Sequence, residues 1–336
     1  MTEAPDGPSG AGPSGLGPSG IRAAVIRRYG GPEEFRAETV PEPAAGPGQV
    51  LIDVALAGVN YADLHCRTGG YARFPLPAVL GADVIGRRRG DGRRVAALLR
   101  TGGGYAQVAC AERSFTVEVP DEVGDEQALA LLEQGATAYA ALALLGRLRP
   151  GECVAVTAAA GGVGHLAVQL ARELGAGRVL GLASTPAKRE FVRSLGADAV
   201  FDPAAPELAE LLAESGGVDL FVDSAGGRGL RDGLAALAPF GRLLCVGARG
   251  GPEEAFAVDE LAERSAGVLG FWLQHVLDDR VLFSGVVEQL FRLAGRGRLT
   301  ARIDRIVPLS GVGGAHRALA ARQTMGKVLI DVHREG

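Results

Sequence analysis

The chain has 336 residues, enough for two domains with cores of their own. Hydrophobic residues make up 47% and charged residues 22%, the balance of a globular protein. A net charge of −4 and a pI near 5.8 supply no global positive field for nucleic acid or acidic membranes. Four scattered cysteines, Cys66, Cys110, Cys153 and Cys245, form no C-x-x-C pair. They read as reduced core thiols of a cytoplasmic protein rather than a disulfide framework. No apolar run is expected to reach the roughly 18 residues that span a bilayer.

Residues 1–20 repeat Gly-Pro-Ser-Gly three times and read as a disordered tail without the apolar centre of a signal peptide. Order is expected from Ile21. Strands over 21–29 and 49–57 flank a Pro/Gly-rich connection, and residues 59–71 then concentrate polar groups after a strand. Further strands near 94–99 and 105–110 complete an irregular antiparallel β region. From about Asp125 the pattern turns helical, then alternates: strands at 152–157, 178–183, 198–201, 218–222 and 241–246, helices at 163–174, 186–195, 206–214 and 228–238. Such alternation predicts a doubly wound parallel sheet. An apolar strand at 267–273, a helix near 279–294 and strand-like pieces at 303–307 and 327–332 close the chain. One domain is thus inserted into another, with the ligand cleft expected between them.

The stretch Cys153 to His165 is the most informative. A β-prone run meets Ala159, Gly161 and Gly164 at the spacing of a G-x-G-x-x-G dinucleotide fingerprint, and a helical pattern follows. Side chains at Gly161 or Gly162 would hold the backbone off a pyrophosphate, and one at Gly164 would wedge the helix off the sheet. The second strand ends at Ala183 without the acid that binds an NAD ribose; Ser184, Thr185, Lys188 and Arg189 follow instead. Two hydroxyls and two cations suit a 2′-phosphate, so NADP(H) is favoured over NAD(H). The alternative is that Ser184 or Thr185 only caps the next helix while the cations face solvent. Asp202, ending the next strand, opposes a phosphate.

The run from about Ile21 to Val332 resembles the zinc-independent quinone oxidoreductases of the medium-chain dehydrogenase/reductase superfamily. The resemblance is carried by Ala57-Gly58-Val59-Asn60-Tyr61-Ala62-Asp63 through Arg67 and Tyr71, and by Pro77-x-x-x-Gly81-x-Asp83-x-x-Gly86. Gly135-Ala136-Thr137-Ala138-Tyr139, Ala158 to Gly164, Val222-Asp223-Ser224 and Met325-Gly326-Lys327 continue it. It implies an α/β protein: a GroES-like, mostly β catalytic domain over 21–136 and 277–336, and a Rossmann domain over 137–276, paired as a homodimer. It implies hydride transfer from NADPH to a small-molecule quinone or conjugated carbonyl. Zinc-dependent relatives place cysteine at Asn60, histidine at Ala82 and cysteine near Glu133 or Gln134, so three metal ligands are missing and no metal is expected.

By the same resemblance Asn60 and Tyr71 line the nicotinamide and substrate pocket, with Asp63 and Arg67 close by. His65 stands where relatives often carry tyrosine; an imidazole there can protonate a reduced substrate, as Tyr71 can, or simply pack. Thr137, Ala160, Gly161, Gly162, Val163, Gly164, Ser184, Thr185, Lys188, Ser224, Gly247 and Lys327 are the remaining expected cofactor contacts. His165 reads as a helix-start residue. The basic run Arg87 to Arg94 reads as a solvated hairpin tip rather than a nucleic-acid site. Two other functions stay open: an enoyl reductase acting on an acyl-thioester or polyketide enone, and a non-catalytic NADPH- or RNA-binding protein.

Overall fold

The computed structural model describes residues 20–247 and 256–335. Residues 1–19 of the expected disordered tail lie outside the described residues, and Gly20 opens the first strand. Eight strands form the N-terminal part: β1 (Gly20–Ile26), β2 (Arg36–Pro41), β3 (Gln49–Val59), β4 (Ala78–Val79), β5 (Asp83–Arg88), β6 (Arg94–Leu98), β7 (Val108–Glu112) and β8 (Thr116–Glu118). Six alternate with helices: β9 (Cys153–Val156), β10 (Arg178–Leu182), β11 (Ala199–Phe201), β12 (Val218–Asp223), β13 (Leu237–Val246) and β14 (Gly267–Phe271). The chain returns with β15 (Ile303–Pro308) and β16 (Lys327–Asp331).

The six middle strands pair in parallel in the order β11-β10-β9-β12-β13-β14. That is the doubly wound order, with its switch point between β9 and β12, where ligands of such sheets lie beyond the carboxyl ends. Every residue of β9 is buried, as a strand covered on both faces requires. The flanking strands form a second sheet, β15-β16-β3-β5-β6-β8, with β7 also on β3, and a small sheet β2-β1-β4. β16 therefore brings the last thirty-odd residues of the chain back beside β3, pairing Val328 with Val59.

A helical run from Asp125 to Leu145 joins the two parts. It is long and apolar enough to cross a membrane, which corrects the expectation from the sequence. Most of it is instead buried: Leu129, Leu131 and Leu132 belong to one core shared by Ile85 and Leu98 of the outer part and Val154 and Val156 of the parallel sheet. Two π-helical stretches, Leu131–Gly135 and Ala140–Leu145, interrupt it. The boundary expected at 136/137 thus falls inside a continuous helix, and the domains share packing there. Two further local readings change. Residues 61–68 are helical, and the helix expected over 228–238 is Arg228–Ala235, because Leu237 already pairs with Val218 at the start of β13.

Candidate functional site

The outer wall of the cleft starts where β3 ends. Asn60 is the N-cap of helix Tyr61–Thr68, and the Asp63 carboxylate accepts its backbone N–H at 2.9 Å. That bond from the Asp63 side chain back to the N-cap N–H fixes the helix start. The freed Asn60 amide becomes a hub. Its Oδ1 accepts from the Lys327 ammonium at 2.6 Å and from Gln134 Nε2 at 3.0 Å, while its Nδ2 donates to Asp83 Oδ1 at 2.6 Å. Lys327 also donates to Asp83 Oδ2 at 2.9 Å, with both side chains fully buried. Gly58 makes room for this knot: a Cβ there would stand 2.4 Å from Asp83 Oδ2 and 2.6 Å from Lys327 Cε. Lys327, an expected cofactor contact by sequence, has its ammonium bonded to Asn60 and Asp83.

A second chain of bonds runs deeper. The Tyr105 hydroxyl donates to Asp63 at 2.9 Å and lies 3.1 Å from His316 Nε2. With Tyr105 donating to the carboxylate, Nε2 carries the proton to the hydroxyl. Burial pushes the Asp63 carboxyl up to about 7, against the opposing hydrogen bonds from Asn60 and Tyr105. Burial likewise lifts half-buried Glu133 to about 7, with Lys327 pulling the other way. The buried His316 is lowered to about 3 and stays neutral. Among the described residues Arg67 is buried with Nε and Nη1 lacking a hydrogen-bond partner, and His65 Nε2 is likewise unpartnered. Tyr71 is exposed, its hydroxyl accepting from the Trp272 indole at 2.6 Å.

Across the cleft, β9 ends in a tight turn with Ala158 in the left-handed region at φ 45°. The Gly161 N–H closes back on the Ala158 carbonyl at 2.8 Å, and helix Gly162–Glu173 begins with no side chain capping it. Its first N–H groups are therefore left for a ligand. A Cβ on Gly161 would meet only the Ala158 carbonyl oxygen, at 3.1 Å, so the turn presents open backbone. One on Gly164 would sit 2.3 Å from that oxygen and 2.8 Å from Ala159 Cα, which is the close helix–strand approach expected of this glycine. Val163 is half-buried, and the carbonyl of buried Ala160 accepts the Gly326 N–H at 2.9 Å, tying the turn to the outer domain. His165 adds a second tie. Its Nδ1 bonds the Gly161 carbonyl at 2.8 Å and its Nε2 accepts the Arg302 N–H at 3.0 Å, so it is a buried strut.

At the switch point Thr157 donates to Asp223 at 2.7 Å and accepts the Ser224 N–H at 2.9 Å. Gly247 follows β13 at φ 81°, and Thr137 is buried in the joining helix. On the second strand's loop Ser184 and Thr185 are exposed, and Thr185 caps helix Pro186–Ser194 through the Lys188 N–H at 3.3 Å. Lys188 reaches over to the Arg322 carbonyl at 2.6 Å, and the Arg322 guanidinium adds positive charge beside it. Arg189 is paired with Asp202 at 2.8 Å, so Asp202 opposes Arg189, and the carboxylate that acts on Lys188 is Asp304. The basic hairpin is internally neutralised: Arg88 bonds Asp91, Arg89 bonds Glu42 and Asp53, and Arg93 bonds Glu118.

Asp83, Gln134, Tyr105, His316 and Arg322 were not singled out as site residues from the sequence. The Asn-x-x-Asp spacing of 60–63 was the signal for the capped helix. Nothing local marks Tyr105 or His316, which lie 211 residues apart.

A GroES-like portion carrying a doubly wound dinucleotide domain, with Gly162 of the open turn against the Gln134 side chain that bonds Asn60, defines a medium-chain dehydrogenase/reductase. Residues 46–121 match the model described as alcohol dehydrogenase GroES-like domain, and 162–292 that described as zinc-binding dehydrogenase. The chain is 32% identical to the rat synaptic vesicle membrane protein VAT-1 homolog, over 92% of this chain and 83% of that protein. It is 31% identical to a Burkholderia 2-haloacrylate reductase, over 92% and 98%. The Thermus thermophilus quinone oxidoreductase, solved alone and with NADPH, superposes with a TM-score of 0.83 at 34% identity, covering 93% of this chain and all of that one. The chain belongs to the quinone oxidoreductase family of that superfamily.

Proposed function

We propose that the protein is an NADPH-dependent oxidoreductase that delivers hydride to a quinone or another conjugated carbonyl without a metal. The observation that carries this reading is the pairing of an uncapped, open glycine turn with a cleft wall whose hub, Asn60, is bonded to a buried ammonium. The turn fits the cofactor. Backbone of Ala160 to Gly164 suits a pyrophosphate, Ser224 and Gly247 line the switch point, and Ser184, Thr185 and Lys188, with Arg322 beside them, suit the 2′-phosphate. When bound, NADPH supplies the hydride. Thr137 and Asn60 orient the nicotinamide end, and Asp63 and Arg67 hold Asn60's helix. Tyr71 or His65 meets the developing oxyanion with a hydrogen bond or a proton.

The residues do not fit zinc. Asn60 offers one amide oxygen, already held by an ammonium that would repel a dication, and Ala82 offers no ligand. Among the described residues no group of three or more His, Cys, Asp or Glu is arranged to hold a metal. The paired arginines of the basic hairpin disfavour the RNA-binding alternative. The reading includes a cytoplasmic location and a homodimer, the dimer favoured by β14 being, among the described residues, an edge strand of the parallel sheet.

The test follows absorbance at the NADPH band with a panel of quinones, acyclic conjugated carbonyls and enoyl thioesters. Steady NADPH consumption with the first two classes supports the proposal. Turnover of thioesters alone selects the enoyl reductase. A protein that binds NADPH and is inert to every acceptor refutes it.

A further inference from the structure

Tyr71 and Trp272 reach toward each other from the two sides of the cleft. Tyr71 lies just past Gly69, the left-handed residue ending the helix that starts at Asn60. Trp272 follows β14 directly; its neighbour Phe271 pairs with Val246, next to Gly247 at the carboxyl edge of the parallel sheet. The two side chains touch by their polar tips, indole Nε1 to phenol oxygen at 2.6 Å. Each nevertheless stays more than half exposed, Tyr71 at 57% and Trp272 at 53%. The indole N–H is spent on that bond, so Trp272 offers no further donor, while the Tyr71 hydroxyl keeps its own proton to donate. His275 stands edge-on to the indole at 5.6 Å and 72°, which fixes its tilt from one side. Large aromatic surface held rigid and uncovered at a ligand edge is suited to stacking.

We propose that Trp272 is a specificity-determining residue: with Tyr71 it forms an aromatic pair at the cleft mouth that stacks on planar ring electrophiles and favours them over acyclic ones. The inference rests on the reductase reading above and names the substrate class within it. A stacked aromatic contact corresponds to about a threefold to tenfold difference in affinity.

Steady-state kinetics at saturating NADPH compare the wild type with Trp272→Leu on menadione, a planar bicyclic quinone, and on methyl vinyl ketone, an acyclic enone. The expected result is a menadione KM raised roughly threefold to tenfold, with the methyl vinyl ketone KM within about twofold. Trp272→Phe, which keeps a ring, restores most of the menadione KM. Equal effects on both acceptors, or none on menadione, overturn the proposal. A wild type that turns over neither acceptor sends the reductase reading to the full acceptor panel above, and the aromatic pair is then decided by fluorescence. Trp272 is the chain's single tryptophan. Saturable quenching by menadione of the NADP⁺-loaded protein supports stacking, and linear quenching matching free N-acetyltryptophanamide overturns it.

Discussion

Replacing Lys327 with methionine tests the knot on which the cleft wall depends. The side chain is nearly isosteric without its charge, so packing is retained while the ammonium is lost. Asp83 is then left fully buried with Asn60 Nδ2 as its remaining side-chain partner, and Asn60 Oδ1 keeps only Gln134. Removing one partner of a buried ion pair costs about 3–5 kcal/mol, because the stranded charge has no water to replace its partner. At about 2.1 cal/mol/K per residue, that corresponds to a drop in Tm of roughly 4–7 °C for a chain of this length. Adding Asp83→Asn to Lys327→Met removes the stranded charge and keeps an amide beside Asn60. The double variant should therefore lie within about 1–3 kcal/mol of the wild type, the cost of imperfectly satisfied polar groups. Urea unfolding followed by circular dichroism, at one protein concentration, measures both. A single variant within about 1 kcal/mol of the wild type, or a double variant no better than the single, refutes the argument that the ammonium and carboxylate hold each other in place.

Gly164→Ala should destabilise by about 1–3 kcal/mol, since its Cβ runs into backbone atoms of Ala158 and Ala159 that cannot swing aside; thermal unfolding checks it, and an unchanged Tm counts against the close approach. Gly162→Glu should abolish the fluorescence enhancement of NADPH by blocking the open turn; a Cβ there stands 3.0 Å from the Gln134 side chain, so circular dichroism is recorded alongside to check that the fold survives. Lys188→Ala should weaken NADPH roughly tenfold or more and NADH little, as expected for one charge-assisted bond to a 2′-phosphate; equal losses in a paired titration remove Lys188 from that role. His165 is held neutral, lowered to about 4 by burial, whereas unfolded histidine titrates near 6.5. The unfolded state therefore binds more protons as pH falls from about 6.5 to 4, and folding stability declines with it. His316 slopes the same way, while Asp63 and Glu133, raised by burial, slope oppositely between about 4 and 7. His165→Gln should lessen the acid-side loss by up to about 1.4 kcal/mol per pH unit in that window; urea midpoints at the acid end of that window and near neutrality that shift in parallel with the wild type would exclude it.

The parallel sheet was legible because each of its strands sits between glycine turns and amphipathic helices, so period and punctuation agree. The helix overrun past Ala235 arose where Leu-Ala-Ala-Leu-Ala is a strong helix former locally but Leu237 gains a strand partner in Val218. The helix after Asn60 was missed for the opposite reason. Only Leu64 and Cys66 are apolar and buried on it, so periodicity is faint, and the information lies in the Asp63 cap and in Gly69 at φ 75°. The cleft shows the deeper limit. Asn60, Tyr71 and the glycine turn are named by their local pattern, but the state of Asn60 is set by Lys327, 267 residues away, and by Asp83. A lysine at the head of an apolar strand reads as a surface or ligand-facing cation. Burial turns it into a fixed counter-charge instead, because β16 folds back beside β3 and Gly58 leaves the space. The same return places the Gly326 N–H on Ala160 and the Arg302 N–H on His165. Asn60 and the glycine turn, the proposed binding elements, are thus both held by the closing segment of the chain, through Lys327, Gly326 and Arg302. Cofactor binding and the rigidity of the cleft wall are therefore coupled through β16: loosening that strand should degrade both together, whereas a change confined to Ser184, Thr185 or Lys188 should touch only the first.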